Sequence, residues 1–460
     1  MIVMKFGGTS VEDAAAIKNV GNIVGKEISR HPVVVVSACA GITNQLLKTA
    51  TLASEGKRDE ALQNIAAIEG RHKMIVKDLF DADTAKFLYK HIATFAEELA
   101  ALVSGVVILG ELTPRSLDAF ASYGERMSSF IIHHYFESCK FRSFLVDARS
   151  FMITDNHFTK AVPMLDTVER KLNEIVKTKS ENGYVVITQG FIGSTISGVT
   201  TTIGRGGSDY SAAIIGSLLN AEDIQIWTDV DGILTSDPSV VSDAKRIKVM
   251  SFNEAAELAY FGARVLHPET ILPAVKKDIP VYVLNSRRPE SKGTLIISHP
   301  KVSKECVVKS IAYKEGITLI SIVSTRMFLA HGFLESVFDV FHKYETVVHT
   351  VATSEVSVSV TVDNAKNLGA ILQELKTFST VSVSDKKAIV CVVGEHLKDS
   401  PGVAAKVLRS ITDINVNMIS QGASEINISF VIDEDCVDEV VRRLHKEFFS
   451  DVKRLTEIFE

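Results

Sequence analysis

Thr200-Thr201-Thr202-Ile203-Gly204-Arg205-Gly206-Gly207-Ser208-Asp209-Tyr210-Ser211 is the stretch that decides how this chain reads. It leaves an apolar, strand-like run (Tyr184 to Ile187, continuing through Gln189-Gly190-Phe191-Ile192) and enters a helix-like one (Ser211 to Leu219). Three glycines within four residues bring no side chain to a core. They permit positive φ and a close approach of the backbone to a ligand. Ser208 and Asp209 fall where a helix N-cap belongs, beside free N–H groups and the positive end of the helix dipole. The stretch therefore predicts an anion site, with Arg205 placed to hold a carboxylate or phosphate through two parallel hydrogen bonds. An ordinary glycine turn before a capped helix is the alternative. It loses ground because similar turns recur along the chain.

Upstream, Ile2-Val3-Met4-Lys5-Phe6 is a short apolar strand followed by Gly7-Gly8-Thr9-Ser10 and helical periodicity from Val11, with Ser10 and Asp13 spaced like a capping box. A strand, a Gly-Gly turn and a helix start make a second anion cradle, and Lys5 adds a full charge to it. In a Walker A loop the lysine follows the glycines, so this is a different device. Val33 to Val36 form another buried-strand run, which empties into Ser37-Ala38-Cys39-Ala40-Gly41-Ile42-Thr43-Asn44. Strand, turn and helix repeated this early predict a parallel α/β sheet with ligands at the carboxyl ends of its strands.

From about Glu55 to Val103 the pattern is helical, a predicted insertion. After Pro114, Tyr123-Gly124-Glu125-Arg126 opens another apolar helix. Glu125 suits a first turn electrostatically as well as it suits a ligand, and spacing alone leaves both readings open. Ile224 to Thr228 forms a strand that delivers Thr228 and Asp229 to its end, where the carboxylate faces a ribose hydroxyl, a metal-bound phosphate or merely an Asx turn. Tyr260 to Pro268 ends a helix and brings Arg264 near a further turn.

The 460 residues suggest roughly three domains. An apolar fraction of 46% and a charged fraction of 23% describe a core-forming chain. A net charge of −6 offers no basic surface to nucleic acid or anionic membrane. No leader pattern precedes Ile2, no uninterrupted apolar run reaches the ~18 residues of a span, and five scattered cysteines read as reduced, mostly buried thiols in a cytoplasmic protein.

Beyond Pro300 a repeat appears: Gly332 and Gly402 are 70 residues apart, as are Ser354-Glu355 and Ser424-Glu425. Both copies place clean apolar alternation (Thr353 to Val360; Ala423 to Phe430) after a strand, glycine, helix and strand, the order of a ferredoxin-like unit. Neither contains a catalytic cluster, so the repeat reads as regulatory or structural.

Lys5-Phe6-Gly7-Gly8-Thr9-Ser10, Ser37-Ala38 with Gly41-Ile42-Thr43-Asn44, Gly124-Glu125, Gly204 to Asp209, Thr228-Asp229-Val230 and Phe261-Gly262-Ala263 stand in the order found in aspartokinases, which the whole chain resembles. The resemblance implies an α/β amino-acid kinase fold over residues 1–299, a mainly parallel sheet between helical layers. Two ferredoxin-like ACT domains follow, over 300–385 and 386–460. It implies phosphorylation of the side chain of L-aspartate by ATP with Mg²⁺, which opens lysine, threonine and methionine synthesis. In that setting Lys5 and the Gly7 and Gly8 amides hold the transferred phosphoryl group, and Asp209 orients Lys5 or the metal shell. Arg205 clamps a substrate carboxylate and Glu125 its ammonium, while Ser37, Thr43 and Ser208 donate to the reacting end. Thr228, Asp229, Arg264 and Val265 face the nucleotide, and no residue is assigned as a direct metal ligand.

The chain departs from the family at Leu234, Ser239 and Arg264, where a tyrosine, an arginine and a lysine are common. Met327, Gly332, Phe333, Leu334, Thr353, Ser354 and Glu355 match the region where relatives bind an inhibitory amino acid. Lysine is favoured over threonine, although His349 stands where lysine-sensitive relatives carry an acid. Pairing through ACT strands implies a homodimer or a dimer of dimers. An amino-acid sensor with little turnover, or a kinase for another acidic metabolite such as N-acetylglutamate, is the alternative.

Overall fold

The computed structural model describes residues 1–204, 206–261, 268–300, 307–324, 332–363, 366–450 and 459. The chain forms two compact units, Met1–Ile233 with Val265–Ser298, and Leu234–Arg264 with His299–Glu460. The segment 234–264, which a boundary at 299 leaves with the first unit, thus packs with the second.

The main sheet of the first unit contains β1 (Ile2–Phe6), β2 (Pro32–Val36), β3 (Ser143–Val146), β5 (Val185–Gln189), β8 (Ile224–Thr228), β10 (Val281–Asn285) and β11 (Thr294–Ile297), in the order β3-β5-β2-β1-β8-β10-β11. All pairs are parallel except β10 with β11. A smaller sheet holds β4 (Ile153–Thr154), β6 (Ile192–Thr195) and β7 (Thr200–Thr202). β1 and β2 are buried along their whole length, as continuous apolar runs in a two-sided parallel sheet must be. Lys5 pairs with Val35 on one side and Ile226 on the other, at the centre of the sheet. The chain leaves β1 for β2 and later returns beside β1 as β8. Such a reversal of strand order opens a crevice at the carboxyl edge.

Helix α1 (Ala14–Lys26) starts later than periodicity suggested: Asp13 is its N-cap and accepts from Ala16 N–H at 2.8 Å, while Gly8–Val11 form a separate short turn. The insertion is α2 (Ile42–Ser54), α3 (Arg58–Leu79) and α4 (Ala82–Leu109), followed by α5 (Pro114–Ala121) and α6 (Tyr123–Ser138). By length and composition α4 qualifies as a membrane span, with an 18-residue stretch of mean hydropathy 1.9, a feature that Glu97 and Glu98 disguise in a search for unbroken runs. Its stripe Leu88, Ile92, Leu99 and Val103 belongs to the main core, at the spacing of a helix packed along one face. Of the described cysteines, Cys39 and Cys391 are buried, but Cys436 is partly exposed and Cys139 exposed.

The second unit includes β9 (Val249–Ser251) and a six-stranded sheet of β12 (Ser310–Val323), β13 (Val348–Thr353), β14 (Ser357–Val362), β15 (Thr380–Val393), β16 (Met418–Gln421) and β17 (Asn427–Asp433), ordered β13-β14-β12-β15-β17-β16. The expected halves are not consecutive. Residues 310–314 of β12 pair with 389–393 of β15, beside β17, whereas 319–323 pair with 380–384 and with β14. The second ferredoxin-like half therefore takes an edge strand from residues that precede the first. The expected boundary between residues 385 and 386 falls inside one continuous strand, with Lys386 at φ 54° where β12 and β15 shift register.

Candidate functional site

The turns after β1 and β2 are laced together. Ser37 N–H donates to Phe6 O at 3.1 Å and Ala40 N–H to Gly8 O at 3.0 Å. Gly8 is required by this approach, because a Cβ there would lie 2.9 Å from Ala38 O. Arg71 on α3 braces the same wall, donating to Ala40 O at 2.6 Å and Glu12 O at 3.2 Å. Ser128 on α6 donates to Ser37 O at 2.7 Å. The insertion and α6 thereby set the shape of the loop.

The glycine-rich stretch does enter a helix, Gly207–Leu218, but Gly206 at φ 71° is its N-cap and no side chain caps it. Ser208 and Asp209 sit one step further on, in the first turn, with their side chains toward a cavity. Asp118 on α5, 1% exposed, holds the strand leading into the loop: it accepts from Thr202 N–H, Thr202 Oγ1 and Thr159 N–H. Burial pushes its carboxyl above the usual range against those hydrogen bonds.

These elements enclose a cavity of about 330 Å³ whose wall includes Lys5, Gly8, Ser37, Thr43, Glu125, Ser208 and Asp209. Lys5 Nζ lies 2.6 Å from Asp209 Oδ1, with side chains 10% and 14% exposed. Such a pair offers a fixed positive charge that is neither solvated nor free to swing. Glu125 is 3% exposed, and its Oε2 has no hydrogen-bond partner among the described residues. Burial pushes its carboxyl up to about 8, only partly offset by the backbone N–H of Ala38.

Some expected residues stand elsewhere. The Gly7 amide donates to Trp227 O at 3.0 Å, extending the β1–β8 ladder, so the backbone part of the cradle falls to Gly8. Thr228 and Asp229 end β8 outside the cavity wall, and Thr228 Oγ1 donates to the exposed Asp229 at 3.2 Å. Arg205, Arg264, Val265 and Met327 lie outside the described residues. Phe191 and Cys39 line the cavity without having been singled out. Phe191 is held at φ 66° by Ser211 Oγ, which accepts from its N–H at 3.0 Å, and nothing in its residue type announces that backbone.

In the second unit, Gly332 at φ 88° caps the helix Phe333–Lys343, which contains Leu334. Thr353 closes β13, and Ser354 accepts from Ser357 N–H at 3.1 Å, leaving Glu355 exposed at the tip of the turn. His349 is engaged within the chain. Nδ1 pairs with Tyr260 OH at 2.8 Å, and Nε2 accepts from Lys314 Nζ at 3.1 Å and lies 3.3 Å from Asp363 Oδ2. Burial, then the Lys314 charge, lowers its pKa.

Residues 1–285 match the amino acid kinase family and residues 390–448 an ACT domain. The chain is 37% identical to aspartokinase 2, chloroplastic, of Arabidopsis thaliana, covering 97% of this chain and 84% of that one. It is 36% identical to lysine-sensitive aspartokinase 3 of Escherichia coli, covering 98% and 99%. Its fold matches E. coli aspartokinase III in complex with aspartate and ADP (R-state) at a TM-score of 0.84, 36% identity, covering 98% and 100%. The same enzyme with lysine and aspartate (T-state) matches at 0.81 and 35%, with the same coverage. A core strand carrying Lys5 onto a glycine cradle, a glycine loop facing it and a C-terminal ferredoxin-like pair agree with those matches: the chain belongs to the aspartokinases of the amino acid kinase family.

Proposed function

We propose that this chain phosphorylates the side-chain carboxylate of L-aspartate with ATP, giving 4-phospho-L-aspartate and ADP, in the cavity between the Gly8 cradle and the Gly204–Gly207 loop. The observation that carries this reading is the buried Glu125 oxygen, without a hydrogen-bond partner among the described residues, in the same wall as the Lys5–Asp209 pair. An α-ammonium satisfies the first, and a phosphoryl group in transfer is stabilised by the second.

The substrate carboxylate is already a nucleophile, so the site needs positioning and charge rather than a base. Lys5 and the Gly8 amide stabilise charge on the equatorial phosphoryl oxygens, and Asp209 holds the lysine in place. Arg205, placed by sequence, takes the α-carboxylate, while Ser37, Thr43 and Ser208 donate to the reacting end. Thr228, Asp229, Arg264 and Val265 stay with the nucleotide. The cavity's carboxylates are Glu125, buried and held near neutrality, and Asp209. Mg²⁺ therefore fits beside Asp209 and the nucleotide phosphates, among hard oxygen donors. When bound it supplies neutralisation of phosphate charge. The test is ADP release by the purified chain offered L-aspartate, L-glutamate and N-acetyl-L-glutamate separately. Turnover is expected with aspartate, and turnover with N-acetylglutamate alone overturns the reading.

Lysine is the proposed effector and a homodimer or dimer of dimers through ACT strands the proposed assembly, in the cytoplasm. Gly332, Phe333, Leu334, Thr353, Ser354 and Glu355 remain the effector residues, with Met327. The structure alters the part given to His349. Its ring already serves Tyr260 and Lys314, and burial with the Lys314 charge lowers its pKa, so it gains a proton only at lower pH than a free histidine does. Lysine inhibition measured as a half-inhibitory concentration should therefore stay level from about pH 8 to 6.5 and weaken only below. A steep loss centred near 6.5 contradicts this, and inhibition by threonine alone contradicts the effector.

A further inference from the structure

Outside the cavity, one group of side chains in the first unit has the makings of a metal centre. On α6, His133, His134 and Glu137 bring one ligand atom each to within 4.8 Å of one another. His134 Nδ1 lies 2.9 Å from Glu137 Oε2 and His133 Nε2 lies 3.7 Å from Glu137 Oε1. Residues 133 and 137 are one helical turn apart and share a face, which lets an imidazole and a carboxylate converge.

Both rings are oriented by neighbours. Ser143 Oγ pairs with His133 Nδ1 at 2.9 Å, so Nε2 is the nitrogen turned toward the carboxylate. An outer partner on the second ring nitrogen is what holds a ligating histidine in place. The His134 ring packs edge-on against Phe130 at 4.7 Å and Phe87 at 5.7 Å between centroids. The two imidazole side chains are 16% and 22% exposed and the carboxylate 50%, an open side through which an ion enters and keeps water ligands. The cluster occupies the last turns of α6, at the negative end of the helix dipole, which favours a cation.

We infer that His133, His134 and Glu137 bind a divalent transition-metal ion, with Zn²⁺ the best fit. Two imidazoles and one carboxylate are a zinc donor set, whereas Mg²⁺ and Ca²⁺ call for oxygen ligands throughout. The ion clips together consecutive turns at the C-terminal end of the helix that carries Glu125, about two turns along from that residue. The competing account is a histidine–glutamate hydrogen bond with no ion.

The two accounts separate in one experiment. Chelator-stripped full-length protein, free of nucleotide, is titrated with Zn²⁺ against a chromophoric zinc chelator. One equivalent bound at micromolar affinity or tighter is expected. His133→Ala and Glu137→Gln should each weaken it at least about tenfold, and Ser143→Ala by about tenfold through the freed ring. A triple variant, His133→Ala with His134→Ala and Glu137→Gln, should lose the equivalent and the accompanying rise in thermal midpoint, with kinase turnover unchanged. Absence of a stoichiometric equivalent in the natural chain, or its survival in the folded triple variant, overturns the proposal.

Discussion

Lys5→Ala should lower kcat by about 10³-fold or more, the scale on which removal of a preorganised charge from a phosphoryl- or acyl-transfer site acts. The effect is large because Lys5 is fixed by β1 at the middle of the sheet and by Asp209 at 2.6 Å, so neither solvent nor a neighbouring side chain replaces it. The same substitution strands a carboxylate that is only 14% exposed, at a cost of up to ~3–5 kcal/mol for a broken buried pair. Stability and chemistry must therefore be read separately. Lys5→Ala with Asp209→Ala should recover the thermal midpoint without recovering turnover. Near-normal kcat in a folded Lys5→Ala protein contradicts the role.

Glu125→Gln should raise KM for aspartate about 100-fold while KM for ATP stays within a few-fold. Losing one partner of a buried charge pair costs about 2–5 kcal/mol, and 1.4 kcal/mol is tenfold. Stability should move the other way. The folded carboxyl titrates near 8 rather than at the 4.5 of an unburied glutamate, so the folded state binds its proton more tightly than the unfolded chain does. Stability contributed by that proton is complete below about pH 4.5 and is lost as pH rises through 8. Glutamine carries no such penalty, so the variant should be as stable as the natural chain near pH 5 and more stable at pH 9. An unchanged KM for aspartate removes Glu125 from the substrate.

Much of this was legible in the residues because local chemistry and tertiary placement agree. Val33 to Val36 read as a fully buried parallel strand and are one, and Lys5 before two glycines reads as a charge at a cradle and stands in the cavity wall. What escaped depends on long-range pairing or on backbone. The interleaving of β12 and β15 follows from register between residues 57 to 83 positions apart, and the expected boundary at 385 falls within a strand. Gly7 was read as a ligand amide because the sequence does not show that Trp227 O takes it. His349 was read as facing an effector, whereas Tyr260, Lys314 and Asp363 come from distant elements to enclose it. Glu125 shows the reverse. Its position in a first turn left two readings open, and the structure adds burial and an oxygen without a hydrogen-bond partner among the described residues, on which the proposed ammonium contact rests.

That glutamate also supplies the most direct test of the central claim, that the cavity holds aspartate by its ammonium beside the phosphoryl cradle. At pH 7 a carboxyl titrating near 8 is mostly protonated in the empty site, and it must ionise to receive an ammonium. Binding of L-aspartate should therefore release most of one proton, seen in calorimetry as a heat that changes with the ionisation enthalpy of the buffer. The release should fade by about pH 9 and vanish in Glu125→Gln. A heat of binding that is the same in every buffer at pH 7 would contradict the account.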